Sequence, residues 1–195
     1  MSRKLLSLTA LGAASLMALT ACSGGTASSS QSSTSATASS SSSAPSSITI
    51  ESDQGNVEIK LPVQRVASLD NRTFEVLAQW NVPLVAAPKK LIPSTVKAYN
   101  TDSVADIGMH RDPNLEALAA SNPDLIISGQ RFTRFDAQIA EMNPGVPLIN
   151  LEPRDGKPLN EELIRQVTDL GEIFGHQEDA KKLVDDFNNA LNRAK

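Results

Sequence analysis

The stretch Asp112-Pro-Asn-Leu-Glu-Ala-Leu-Ala-Ala-Ser-Asn-Pro-Asp-Leu-Ile-Ile-Ser-Gly129 carries a whole helix–strand unit in eighteen residues. Asp112 reads as an N-cap acid and Pro113 as the first helical residue, where its missing N–H is harmless. Leu115, Leu118 and Ala119 give the helix one apolar stripe, and Asn122-Pro123 stops it. The run Asp124-Leu-Ile-Ile-Ser then has no polar alternation. A short run of that kind suits a strand buried on both faces, as in a parallel sheet.

The same unit recurs on either side. Arg65-Val-Ala-Ser-Leu, Pro83-Leu-Val-Ala-Ala and Val146-Pro-Leu-Ile-Asn-Leu are three further buried-strand patterns. Between them, Phe74, Val76, Leu77 and Trp80 form one apolar helical face, and Phe132, Phe135, Ile139 and Met142 form another. Alternating strands and helices predict an α/β, Rossmann-like parallel sheet with helices on both faces. Ahead of it, Ile48–Ser52 and Val57–Leu61 alternate in polarity around Asp53-Gln-Gly-Asn, which predicts a small hairpin. After Asn160, two amphipathic helices follow, the first ending at Gly175. The second carries Glu178 and Asp179 early and Arg193 and Lys195 late, as the helix dipole favours.

The N-terminal quarter differs in kind. Arg3 and Lys4 precede the weakly apolar run Leu5–Ala21, which reads as an export signal over residues 1–21. The run is short for a spanning helix, which needs ~20 apolar residues, and it carries Ser7, Thr9, Ser15 and Thr20. It ends in Leu19-Thr20-Ala21-Cys22, which resembles a bacterial lipobox, so Cys22 is expected to carry lipid. The alternative is a secreted protein with a coincidental cysteine. Thr26–Ser47 contains thirteen serines, three threonines and four alanines among twenty-two residues. Such a composition cannot offset the entropy of ordering, so residues 22–47 are expected to be a disordered tether. A coil of that length spans roughly 25 Å, from about 5–6 Å × √n. Without residues 1–21 the chain has 16 basic and 22 acidic side chains, a formal charge of −6. That balance argues against nucleic acid as a partner.

Cys22 is the sole cysteine, so disulfides, thiol catalysis and cysteine metal sites are excluded. His110 and His176 are the only histidines, 66 residues apart, and no metal site is expected of them. There is no Gly-rich phosphate loop and no GxSxG, and most serines lie in the tether. An enzyme would need a nucleophile–base pair or a metal cluster. No catalytic residue and no cofactor is expected.

The order of motifs resembles the substrate-binding lipoproteins of bacterial iron-siderophore ABC importers, the ferric catecholate group in particular. The resemblance rests on Pro62-x-x-Arg65-Val-Ala-x-Leu-Asp70, Pro88-Lys89, Asp106-Ile-Gly108, Asp112-Pro-Asn-Leu-Glu116 and Asn122–Gly129. It continues through Asn143-Pro144 and Leu170-Gly-Glu-Ile-Phe-Gly175. It implies two α/β lobes joined by a long rigid helix with the ligand between them. Residues 48–175 would be the N-terminal lobe and residues 176–195 the start of the joining helix; the second lobe is expected to be absent from this sequence. A fragment without transport activity is the corresponding alternative.

In an open α/β sheet, ligands bind beyond the carboxyl ends of the strands. Asp70, Asn71, Arg72, Lys89, Lys90, His110, Arg111, Gln130, Arg131, Arg134, Glu152 and Arg154 fall at those ends. Recurrent cations there, on an acidic chain, predict a local positive pocket for an anion. A ferric ion held by three catecholates carries a triple negative charge and needs no protein ligand on the iron, which would be cargo and not a cofactor. Arginine suits its outer surface through planar donors and ring stacking. The resemblance places an arginine just after the Ser-Gly pair against the chelate. Gln130 intervenes here, so Arg131 is the nearest match, shifted by one. Lys89, Arg111 and Arg134 are further candidates. Lys90 and Arg154 read as ordinary surface cations, and Tyr99 as packing. Glu116 is expected to dock on the permease, its alternative being a first-turn acid that favours the helix dipole. Haem, cobalamin or another chelate remain alternative ligands, cobalamin fitting a basic pocket least well. The protein is expected to be a monomer, anchored by lipid at the extracytoplasmic face of the cell membrane.

Overall fold

The computed structural model of the protein describes residues 46–194. The expected export signal, Cys22 and all but the last two residues of the expected tether lie outside the described residues. Alternating polarity does produce the hairpin, β1 (Ser47–Ser52) against β2 (Gly55–Lys60), antiparallel, with Ile50 opposite Val57 and Ile48 opposite Ile59. Ser47 is therefore strand, not the last residue of a tether.

Five strands make a wholly parallel sheet: β3 (Val66–Ser68), β4 (Leu84–Ala87), β5 (Ala105–Asp106), β8 (Leu125–Ser128) and β9 (Leu148–Asn150). The spatial order is β5-β4-β3-β8-β9. The chain thus runs outward from β3, then returns to the other side of β3 and runs outward again. Adjacent residues of one strand serve opposite faces. Val66, Leu125 and Ile127 join α1 (Phe74–Gln79), α4 (Leu159–Phe174) and the hairpin in one core, through Phe74, Leu77, Leu170, Ile173, Ile50 and Ile59. Ala67 and Ile126 face the other way, onto α2 (Leu115–Ala120) and α3 (Asp136–Met142), with Phe132 and Ile139. The fully buried aliphatic side chains stabilise the fold by roughly 2 kcal/mol each.

Two local expectations are corrected. Asp112 and Pro113 do not open the helix. They form β7 (Asp112–Pro113), a short antiparallel partner of β6 (Gly108–Met109). Asn114 caps α2 instead, its side-chain oxygen accepting from the Ala117 N–H at 2.9 Å. Pairing with β6 satisfies the backbone two residues before the cap, and local preference cannot anticipate that. The stretch around Phe132 and Phe135 is likewise not one α-helix. Gln130–Phe135 is 3-10 helix, and α3 begins only at Asp136.

The C-terminal elements follow the pattern closely. Gly175 ends α4 in the left-handed region at φ 72°, where glycine bears no Cβ penalty. The His176 N–H then donates to the Gly171 carbonyl at 2.8 Å. The last helix, α5 (Gln177–Ala194), packs back on α4. A Cβ on Gly171 would stand 2.6 Å from that of Ala180, so this glycine permits the close approach of the two helices. Among the described residues, no helix is long and apolar enough to cross a membrane.

Candidate functional site

The order of the sheet reverses at β3 and β8, and crevices open at such a switch point beyond the carboxyl ends. A concavity of about 240 Å³ lies there. It is lined by Leu69 and Asn71 after β3, Leu91 after β4, His110 after β6, and Gln130, Arg131 and Phe132 after β8. Leu69, Leu91 and Phe132 give it apolar walls, while the other four supply polar groups.

Its frame is a buried hydrogen-bond network. Asp70 is fully buried and accepts from Arg72 at 2.8 Å, from Gln130 Nε2 at 3.2 Å and from Gln166 Nε2 at 3.3 Å. Its backbone carbonyl accepts from the Thr73 hydroxyl at 2.8 Å, which closes the loop after β3. Gly129 leaves space for the carboxylate, since a Cβ there would come within 2.8 Å of Asp70 Oδ2. Gln130 sits at φ 53°, an uncommon conformation for a side-chain-bearing residue. It is held there by Glu152, which accepts from its N–H at 2.5 Å, and by Asp70 and Asn71, which accept from its amide. The residue that displaces Arg131 by one position is thus the one pinned in place, and Arg131 projects from the turn that follows.

The arginines around the strand ends fall into two sets. Arg72 pairs with Asp70 and, at 3.8 Å, with Glu152. Arg154 pairs with Glu51 and Glu162, each at 2.7 Å, and Arg165 pairs with Glu162 at 3.0 Å and Asp169 at 3.3 Å. The two guanidiniums at Glu162, Arg154 foremost, hold its buried carboxyl down at about 2. Arg154 is therefore an internal ion-pair partner rather than the surface cation expected. Arg111, Arg131 and Arg134 form the other set. Among the described residues, no carboxylate lies within ion-pair distance of any of them.

These three arginines converge on His110. Arg131 Nη1 lies 3.4 Å from its Nε2. Arg134 Nη2 donates to the His110 carbonyl and, at 3.3 Å, to that of Arg111, and the Arg134 guanidinium lies 4.7 Å from the centre of the Phe135 ring. Arg134 thereby ties the β6–β7 turn to the 3-10 helix. Partial burial and then the charges of Arg131, Arg111 and Arg134 push the His110 pKa below its ordinary value.

The structure therefore brings Arg111, Arg131 and Arg134 together around His110, with Arg131 alone of the three lining the concavity, and leaves Lys89 aside. The Lys89 ammonium donates to the Thr101 carbonyl at 2.7 Å and does not line the concavity. Lys90 is exposed on the same 3-10 turn. Tyr99 is buried in the opposite core, its hydroxyl donating to the Val82 carbonyl at 2.8 Å. Burial raises its pKa. Glu116 is exposed in the first turn of α2 and does not line the concavity. The concavity also contains His110, Asn71 and Gln130, which position at the strand ends had flagged without assigning them a role. Among the described residues, no cluster of His, Cys, Asp and Glu could hold a metal ion.

Comparison with known proteins agrees with this architecture. The family described as "Periplasmic binding protein" matches residues 66–195. The ferric-anguibactin-binding protein FatB of Vibrio anguillarum is 33% identical over 139 residues, covering 70% of this chain and 43% of FatB. The petrobactin-binding protein YclQ of Bacillus subtilis is 21% identical over 131 residues, covering 66% of this chain and 40% of YclQ. The chain thus spans less than half the length of these curated relatives. The solved structure of YclQ superposes with a TM-score of 0.68 at 20% identity over 76% of this chain and 52% of that one. The siderophore-binding protein BauB, solved with acinetobactin and ferric iron, gives 0.67 at 24% identity over 75% of this chain and 52% of that one.

Proposed function

We propose that this chain, which belongs to the periplasmic binding protein family, holds an anionic ferric siderophore and delivers it to the permease of an ABC importer. The observation that carries this reading is the arginine set without carboxylate partners at the switch point of an otherwise acidic chain. Such a set attracts an anion and has no internal charge to release first. Sequence identity to a ferric-anguibactin-binding protein supports the same ligand class. Iron enters as part of the chelate, as cargo, and no catalytic step belongs to this reading.

Arg131 contacts the chelate from the rim, with Arg111 beside it. Arg134 holds the turn that presents His110 and adds to the positive field. Lys89 contributes long-range charge, since its ammonium is directed at Thr101. A double Arg111→Ala, Arg131→Ala variant should bind a ferric tris-catecholate at least tenfold more weakly, with a shallower dependence on salt. Each lost charge-assisted contact is worth roughly 1.5–3 kcal/mol. Equilibrium dialysis read by the chelate's visible absorbance checks this; unchanged affinity and salt dependence would sink the assignment.

Residues 1–21 serve as the export signal, Cys22 as the lipid anchor and the serine-rich segment as the tether. On this reading the protein works at the extracytoplasmic membrane face. Glu116 docks on the permease. Cys22→Ser should move the protein out of the membrane fraction, and Glu116→Arg should lower uptake while leaving chelate affinity intact. Fractionation and radiolabelled iron uptake test the two separately.

A further inference from the structure

We propose that His110 is a ligand-contacting residue of this site that takes up one proton when the anionic chelate binds. The inference rests on the chelate reading of the concavity and adds to it a residue and a linked reaction.

His110 forms part of the wall of the concavity, and its position is fixed from two sides. Its carbonyl accepts from Arg134, and its ring meets Phe132 edge-on, with centroids 6.3 Å apart and planes at 83°. The ring nitrogen Nε2 faces Arg131 Nη1 at 3.4 Å, and a guanidinium has only N–H donors, so this contact suits an Nε2 without a proton. The charged groups that face it are all positive: Arg111 from its own turn, and Arg131 and Arg134 from the 3-10 helix after β8. The loops after β3 and β4 contribute the uncharged Asn71 and Leu91. The other histidine, His176, has the opposite setting, with Asp179 at 2.8 Å and Trp80 stacked on its ring.

A fourth positive charge among three arginines is unfavourable, and partial burial adds to the penalty. An anion placed among the same arginines reverses the sign of the local field. The imidazole then gains a proton on Nε2 from solvent and becomes a donor to an oxygen of the chelate. Its pKa in the complex lies above that in the free protein, so by linkage binding takes up a proton and tightens as pH falls. One linked proton limits the dependence to about tenfold in affinity per pH unit, in the interval between the free and bound values. The site would hold a chelate more tightly on the acid side of neutrality.

The probe is gallium(III) in a hexadentate tris-catecholate chelator, which has the charge of the ferric complex and is diamagnetic. Calorimetric titration of the full chain at about pH 6.5, near the ordinary imidazole value, in two buffers of different ionisation enthalpy counts the protons taken up. Wild type should take up more than His110→Gln, by as much as one proton, and the difference removes the chelate's own protonation. Proton NMR of wild type, with the two histidines told apart by His176→Gln, should show the His110 titration moved to higher pH by the chelate. Equal proton uptake by two binding-competent proteins, or an unmoved His110 titration in the saturated complex, overturns the role of His110. Failure of both proteins to bind overturns the chelate reading itself.

Discussion

Two groups of arginines at the same end of the sheet have opposite electrostatic settings. On the β9 and α4 side, Arg154 and Arg165 enclose the buried Glu162, and Arg72 lies against the buried Asp70. On the β8 and β6 side, Arg131 and Arg134 meet carbonyls, a ring and one imidazole, and among the described residues neither they nor Arg111 have a carboxylate within ion-pair distance. The first group joins the hairpin, β9 and α4 into one body. Arg165 also donates to the carbonyls of Glu51 at 3.2 Å and Glu152 at 2.9 Å. The second group leaves its charge uncompensated at a crevice. The same residue type is tied into ion pairs where carboxylates converge and keeps its charge unpaired where they do not.

Removing the centre of the first group gives the largest effect. Glu162→Gln leaves Arg154 and Arg165 without their shared partner. Arg154 keeps Glu51 and Arg165 keeps Asp169, but the carboxylate that joins them is gone, so chemical denaturation should show a clearly lowered midpoint. A midpoint within experimental error of wild type would mean that the ion-pair body adds nothing.

The complementary test is Arg111→Ala with Arg131→Ala, judged now by stability. No carboxylate loses a partner, so unfolding free energy should stay within about 0.5 kcal/mol of wild type, as for ordinary surface changes. Destabilisation comparable to that of Glu162→Gln would erase the distinction between the two groups.

Acidity gives a smaller and two-signed effect within the first group. Burial pushes the Asp169 carboxyl up to about 6 from an ordinary 3.8, although Arg165 pulls it down. The folded state therefore binds this proton more tightly than the unfolded chain, and stability from this group falls as pH rises from about 4 to 6. Glu162 has the reverse sign. Its carboxyl lies at about 2 against an ordinary 4.5, so its contribution is full above 4.5 and is lost as pH falls towards 2. Together they predict a stability gain from pH 6 down to about 4, followed by a loss. Urea titrations across this range should show it, and Asp169→Asn should reduce the gain while keeping the acid loss; the buried Asp136, also raised, contributes with the same sign.

Much of the fold is legible along the chain because its signals are local. Continuous apolar runs mark β3, β4, β8 and β9, and Gly175 marks the end of α4 through a backbone angle that few other residues adopt. The start of α2 is not legible in this way. Asp112-Pro113 has the chemistry of a helix entry, yet β6 claims its backbone and Asn114 becomes the cap. The site divides similarly. Position at a strand end picks out Arg111, Arg131 and Arg134, which the structure gathers around His110, whereas Lys89 occupies an equivalent position and turns to the Thr101 carbonyl. Position at a strand end marks His110 as well, but its character is not legible there, because two of the three arginines around it belong to another segment 21 and 24 residues away.

By itself, the sequence determined the class of fold, the strand ends where a site could form and an acidic chain with cations placed against its net charge. These follow from periodicity, stop signals and residue counts, which act over a few residues. Only the tertiary structure decided which cations are free. Ion pairing depends on which carboxylates folding brings within about 4 Å, the distance at which such pairs are recognised. Glu162 reaches Arg154 and Glu152 reaches Gln130 across different elements, while Arg111, Arg131 and Arg134 are left without such partners around His110, Arg131 on the wall of the concavity.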